Sequence, residues 1–246
     1  MNIGIIIPTT THNTNWTSYK DTHLYNIFFK SFVKNMCNSY NYRIYLGIDS
    51  DDKIWNNVEE QNNILKFQEE NKNIKIFFVI MKEIEKGWVT KMWNKLFKIA
   101  YNDNCEYFYQ CGDDIEFKTK NWIDDCVKKL ETNNYIGLTG PINNNNRILT
   151  QAFVSRKHMQ IFGWFFPKEI KNWCCDDWYN MVYHPKFLYP LHNHLAVNEG
   201  GQPRYDIHNL KNFSGPNQIT FAMNVNKLSN ETQQLANYHK KILEKY

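Results

Sequence analysis

Two acidic pairs dominate the chemistry this sequence could do. Asp113 and Asp114 follow the hydrophobic strand Tyr107–Cys111 and a single Gly112, and Asp176 and Asp177 stand between Trp173 and Trp178. Carboxylate oxygens are hard donors that suit Mg²⁺ or Mn²⁺, and such an ion can bridge to a diphosphate. A carboxylate can also take the proton of an attacking hydroxyl, while a flanking aromatic face gives a sugar ring somewhere to stack. Further along, His192, His194 and His208 could complete a metal site, and Arg204 could clamp a diphosphate with its fork of N–H donors. Each feature has a plain structural counterpart. Aspartates favour turns and helix N-caps, a role Asp176 could fill, and surface arginines commonly pair with carboxylates.

The elements that must position these groups alternate through the first half of the chain. Ile3–Pro8 reads as a strand, and Leu24, Ile27, Phe28, Phe32 and Met36 then fall at helical spacing. Tyr42–Asp49 is a second strand, Asn57–Glu70 has a helical composition, and Ile74–Ile80 is the continuous apolar run of a strand buried on both faces. Met92, Trp93, Leu96, Phe97 and Ala100 mark a helix, Tyr107–Cys111 a fourth strand, and Trp122–Leu130 another helix with Asn121 as its N-cap. This order predicts an α/β fold with a mostly parallel sheet, whose ligands bind outside the carboxyl ends of the strands. Asp113 and Asp114 sit at such an end.

The second half is less regular. Ile136–Gly140 and Ala152–Ser155 read as strands around an Asn143–Asn146 loop, and Lys186–Ile207 as short strands mixed with turns. A last helix starts at Ser229 or Asn230, with Leu235, Tyr238, Ile242 and Leu243 on its buried face.

With the strands in order, Gly112-Asp113-Asp114-Ile115, followed by Trp122, resembles the metal-binding run of GT-A-fold glycosyltransferases that use nucleotide-sugar donors. In that family a strand ends in Asp-x-Asp, then an Ile, a short gap and a Trp. The resemblance implies a Rossmann-like, mostly parallel sheet flanked by helices, with a smaller mixed acceptor-side subregion. It implies one domain over 1–246, its nucleotide-sugar half at about 1–120 and its acceptor half at about 121–246. It gives Asp114 the metal and makes Asp113 a helper toward metal or donor sugar. Gly112 replaces the first acidic position, a departure that bears on the ribose contact.

Other stretches are similar in the same order. Pro8, Thr9 and Thr10 resemble the loop that cradles the base, and Asp49, in Asp49-Ser50-Asp51-Asp52, the acidic contact to a uracil-type base or ribose. Lys86–Asn94 is similar to the helix whose Asn reaches the ribose-diphosphate region, which assigns Asn94, with Lys91 as a charge for phosphate. Phe162–Pro167 and Trp173–Asn180 resemble the acceptor region of β-1,4-galactosyltransferase-like enzymes, making Asp177 the general base and Asp176 its neighbour and N-cap. The family often takes a third metal ligand from a His on the C-terminal side, here His194. The implied partners are a UDP-linked nucleotide-sugar donor and a glycan or glycoprotein acceptor, with Mn²⁺ or Mg²⁺ as cofactor.

Composition narrows the field. Hydrophobic residues make up 42% and charged residues 22%, ordinary for a globular chain and wrong for a disordered one. No apolar run reaches the ~18–20 residues of a membrane span, and Ile3–Ile7 lacks the basic flank of a signal segment. The net charge of +4, from 29 basic and 25 acidic residues, is too diffuse for a nucleic-acid surface. The six cysteines form no CxxC pair, which points to reduced thiols and a cytoplasmic setting. The 34 asparagines suit an AT-rich genome, and with the small size they resemble glycosyltransferases encoded by large DNA viruses, for which host cytoplasm or virion is the setting. Two other readings stay open. A sugar-nucleotide nucleotidyltransferase needs a Gly-rich basic loop after the first strand, where Pro8-Thr9-Thr10-Thr11 stands; a non-catalytic carbohydrate-binding module needs neither acidic pair.

Overall fold

A computed structural model describes residues 1–145, 147–201, 204–205 and 217–246, with side chains in the last stretch from Lys227 onward. Its centre is β1 (Asn2–Thr9), buried from Ile3 to Thr9 because sheet neighbours and helices enclose it on every side. β1 pairs in parallel with β2 (Asn41–Ile48) and with β4 (Tyr107–Gln110), and β2 pairs in parallel with β3 (Ile74–Ile80). The registers Thr9 opposite Ile48 and Ile6 opposite Gln110 bring the carboxyl ends of β1, β2 and β4 to one edge. The loops that follow those strands therefore converge there.

Past β4 the sheet changes character. β7 (Ala152–Ser155) runs antiparallel to β4, and β6 (Leu138–Ile142) pairs antiparallel with β7 and parallel with β8 (Leu188–Asn198). β5 (Ile115–Phe117) closes the eight-stranded order β3-β2-β1-β4-β7-β6-β8-β5 by pairing antiparallel with β8. Ile115 lies opposite Asn198, so the start of β5 and the end of β8 meet beside Asp114.

Helices cover both faces. On one, a wide-turned stretch at Leu24–Phe29 runs into α1 (Lys30–Asn35), with α2 (Val58–Glu70) and α4 (Trp122–Glu131) beside it; Ile3, Ile5, Phe28, Phe32, Tyr109 and Trp122 meet in this core. On the other, α3 (Val89–Asn102), α5 (Arg156–Phe162), α6 (Cys175–Tyr183) and α7 (Asn217–Leu243) enclose Ile6, Trp93, Phe97, Phe108 and Trp178. α3 buries Met92, Trp93, Leu96, Phe97 and Ala100, the predicted stripe.

Several sequence expectations change. β3 is an edge strand, half-buried along most of its length. Asn121 occupies the N-cap of α4 in a left-handed conformation, φ 63°, and makes no side-chain cap bond. The stretch from Lys186 holds one long strand, β8, instead of several short ones; within 186–207, Gln202, Pro203, Asp206 and Ile207 lie outside the described residues. α7 begins well before Ser229, and its buried stripe is Thr232, Ala236, His239 and Leu243; Tyr238 is 62% exposed. All six cysteines are free, and no described helix is long and apolar enough to cross a membrane.

Candidate active site

The two strand-end residues of the acidic run face different fates. Asp113 is buried, accepts a 2.6 Å hydrogen bond from Thr9 Oγ1, and is gripped bidentately by Arg204, whose Nη1 also donates to the Thr10 carbonyl at 2.8 Å. Both its oxygens are thus spent inside the protein. Asp114 is approached by Arg204 at 3.9 Å. Burial, then the neighbouring charge of Asp113, pushes its carboxyl up to about 6, with Arg204 opposing. Two glycines leave room for it. A Cβ on Gly112 would lie 2.5 Å from Oδ1, and one on Gly200 1.8 Å from Oδ2. The acidic position that the sequence lacks at Gly112 is the space the Asp114 carboxylate occupies.

The loops after β1 and β2 are tied together by a different aspartate from the one expected. Asp52 accepts from Thr11 N (2.7 Å), Thr11 Oγ1 (2.8 Å) and Trp55 N (2.9 Å). Asp49 is buried and accepts from the Tyr205 hydroxyl at 2.8 Å; burial raises its pKa against that bond and one from Thr10. A cavity of about 310 Å³ opens over these strand ends, walled by Pro8, Thr10, Asp113, Asp114, Arg204 and Tyr205. Pro8 and Thr10 line it directly, Thr9 supports Asp113, and Asp49 reaches it through Tyr205.

A second cavity, about 420 Å³, shares Asp114, Gly112 and Trp93 with the first and is lined across from them by Trp173, Asp176 and Asp177. The N-cap of α6 is Cys174, in a left-handed conformation at φ 66°, so Asp176 does not cap the helix as expected. Both aspartates stand in its first turn, where the helix dipole favours negative charge. Asp176 Oδ1 accepts from Asp177 N at 3.1 Å, and burial, with the charge of Asp177 added, pushes its carboxyl up to about 6. Asp177 pairs with Arg147 at 3.2 Å. A larger cavity of about 460 Å³, between Ile170 and α7, touches Trp173 but neither acidic pair.

Three assigned residues lie elsewhere. His194 Nε2 is 2.8 Å from Asp125 Oδ2 and Nδ1 is 3.2 Å from Thr119 Oγ1, so both ring nitrogens are engaged on the α4 side of β8. Asn94 accepts from Phe165 N and Phe166 N at 2.9 and 2.8 Å and donates to the Phe166 carbonyl, making it a clamp on that segment. The exposed Lys91 sets its ammonium 3.4 Å from the centre of the Trp88 ring. His192 is exposed on β8, and His208 lies outside the described residues, as does Asn146. Among the described residues no three His, Cys, Asp or Glu groups converge as a metal cage.

The donor set still fits one kind of ion. Mg²⁺ and Mn²⁺ are often held by one or two carboxylates together with substrate phosphates. Asp114, which Arg204 approaches only to 3.9 Å, could supply one such carboxylate; Asp113, paired bidentately with Arg204, is already neutralised.

This architecture has solved counterparts in S. aureus TarS. TarS 1-349 in complex with UDP-GlcNAc matches with a TM-score of 0.54 and 14% identity over 83% of this chain and 60% of that one. The complex with UDP gives 0.52 and 13% over 80% and 60%, and a longer TarS structure 0.52 and 13% over 80% and 36%. The likeness shows the fold: an α/β, mostly parallel, curled eight-stranded sheet flanked by helices. The chain spans from about a third to three fifths of the structures it matches. No protein-family model and no curated protein matches it.

Proposed function

We propose that this protein is a glycosyltransferase that moves a sugar from a UDP-sugar donor to the hydroxyl of a glycan or glycoprotein acceptor, within one domain. The observation that carries this reading is the position of Asp114. Its carboxylate stands where two cavities join, one walled by the loops after β1 and β2, the other by the acidic pair of α6. A nucleotide diphosphate in the first cavity would present its sugar to the second. The fold is one in which TarS structures hold UDP and UDP-GlcNAc, and the sequence motifs resemble the same donor class.

In this reading Tyr205, Pro8 and Thr10 border the nucleoside, and Arg204 orders the loop by holding Asp113. Asp114 would hold Mn²⁺ or Mg²⁺, and the ion would supply charge neutralisation for the diphosphate leaving group. Asp176 is the general base, in place of Asp177. Asp176 is free of the cap role that would set it aside, because Cys174 caps the helix. A carboxylate titrating near 6 is a competent base close to neutral pH, whereas Asp177 is held by Arg147. The acceptor oxygen attacks the anomeric carbon, its proton passes to Asp176, and the bond to the diphosphate breaks with its electron pair leaving on UDP. The product is inverted. Trp173 borders the acceptor side, as the galactosyltransferase-like block implies.

The test is calorimetry of UDP with and without Mn²⁺, followed by hydrolysis of UDP-sugars. Binding should require the metal and be lost in Asp114→Ala while the fold survives. Failure of wild-type protein to bind UDP under any metal condition would sink the reading. A nucleotidyltransferase would instead release pyrophosphate from UTP and a sugar phosphate.

A further inference from the structure

The floor of the second cavity carries two groups that no step above uses. Gln110 is the last residue of β4, and Gln151 immediately precedes β7 on the neighbouring antiparallel strand, where Gln110 lies opposite Ala152. Each is 2% exposed, each lines the cavity, and each has a buried carbonyl oxygen with no hydrogen-bond partner among the described residues. Buried polar atoms are almost always paired, because an unpaired one forfeits its hydration. Two unpaired oxygens on adjacent strand ends are therefore a cost concentrated at one place, the pattern of a site completed by a ligand. Gln151 is oriented by its neighbours. Its Nε2 donates to Thr150 Oγ1 at 2.6 Å, and the same oxygen receives Asn143 Nδ2. The amide nitrogen is thus directed at Thr150, and the carbonyl keeps its acceptor capacity.

We infer that Gln110 and Gln151 read the hydroxyls of the transferred sugar, and that this sugar is neutral and not a hexuronic acid. The inference rests on the glycosyltransferase reading and assigns the sugar subsite within it. A carbonyl oxygen accepts only from donors, and a sugar supplies O–H or amide N–H groups. Gln110 and Gln151 line the second cavity next to Gly112 and Asp114, the strand-end residues that it shares with the nucleotide cavity, while Trp173 and Asp176 line it from α6 and the segment before it. The donor sugar belongs on the first side and the acceptor on the second. Charge completes the argument. Among the described lining residues the charged groups are Asp114, Asp176, Asp177 and Arg147, and Arg147 is already held by Asp177. A sugar carboxylate would meet three aspartates and two carbonyl oxygens.

The experiment compares UDP, UDP-glucose, UDP-galactose, UDP-N-acetylglucosamine and UDP-glucuronic acid by calorimetry with Mn²⁺, on wild type, Gln110→Leu and Gln151→Leu. UDP affinity should be unchanged in both variants. For the best neutral sugar nucleotide, affinity relative to UDP should fall roughly 10-fold or more per variant, the size of one lost buried hydrogen bond. Melting temperatures should hold or rise, since leucine removes an unpaired buried group; Gln110→Met and Gln151→Met stand in if a leucine variant does not fold. UDP-glucuronic acid should be the weakest of the sugar nucleotides. Unchanged discrimination between UDP and its sugar conjugates would overturn the inference, as would equal losses for UDP itself or a preference for the uronic acid. Donor binding intact, with loss confined to transfer onto free monosaccharides, would move the two glutamines to the acceptor. Wild-type protein that binds no UDP would remove the underlying reading, an outcome distinct from all of these.

Discussion

Gly200→Ala tests whether the Asp114 carboxylate is the group on which donor binding depends. β8 ends at Asn198 opposite Ile115, and Glu199 N donates to the Asp114 carbonyl at 2.9 Å, so the ladder delivers Gly200 onto the Asp114 side chain. A methyl group there would start 1.8 Å from Oδ2, 2.6 Å from Cγ and 2.8 Å from Cβ. Ordinary contact begins at 3.4 Å, so the carboxylate must retreat by well over an ångström. On the other side the carboxylate has room only because Gly112 carries no side chain, since a Cβ there would lie 2.5 Å from Oδ1. A displacement of ~1 Å in a group that positions substrate can cost about 10²-fold, so Mn²⁺-dependent UDP affinity should fall by about that factor. The fold should survive, since the obstacle is a single side chain beside a partly exposed loop. Calorimetry of UDP with Mn²⁺ and a melting curve on the same sample decide it. Near-normal affinity in a folded Gly200→Ala protein would refute the claim that Asp114, seated between two glycines, is the metal-binding carboxylate.

Other outcomes follow from the same geometry. Asp176→Asn should lower turnover about 10²–10⁴-fold with UDP affinity intact, and Asp177→Asn should cost less; equal small effects in both would reject the general-base role. Wild-type turnover under saturating donor should rise with pH through about 6, as Asp176 loses its proton. The stability effect has the opposite sense. Folded Asp176 holds its proton up to about 6 against an ordinary 3.8, so stability declines as pH rises across that window and stays lower above it. Asp176→Asn should therefore be more stable than wild type at pH 7, by ~3 kcal/mol, and lose that advantage near pH 3, as melting at the two pH values would show. Arg204→Ala should lower the melting temperature by stranding buried Asp113, and Asp113→Asn in the same protein should recover part of the loss; additive effects would mean the pair is not coupled. Trp173→Ala should weaken acceptor use more than UDP binding, and equal losses would return the indole to a packing role.

Much of the scaffold was legible because its cause is local. A run such as Ile3–Ile7 is apolar at every position only when both faces are covered, and the spacing of Met92, Trp93, Leu96 and Phe97 fits only a helix with one buried side. From those periodicities the α/β order and the strand-end placement of Asp113 and Asp114 followed without coordinates. Partner choice did not. Nothing near Arg204 in the sequence announces that its guanidinium closes on Asp113, 91 residues away, or that Tyr205 covers Asp49. His194 and Asn94 have the right chemistry for a site, but neighbours brought by the fold use up their polar atoms: Asp125 and Thr119 for one, the Phe165–Phe166 backbone for the other. The reverse holds for Gln110 and Gln151. As letters they are ordinary polar residues, and only the pairing of β4 with β7 buries both and leaves their oxygens without partners. Local pattern fixes which residues can be buried, because burial follows from periodicity. Which polar atoms are spent and which remain available is decided by long-range contacts that no window of sequence contains.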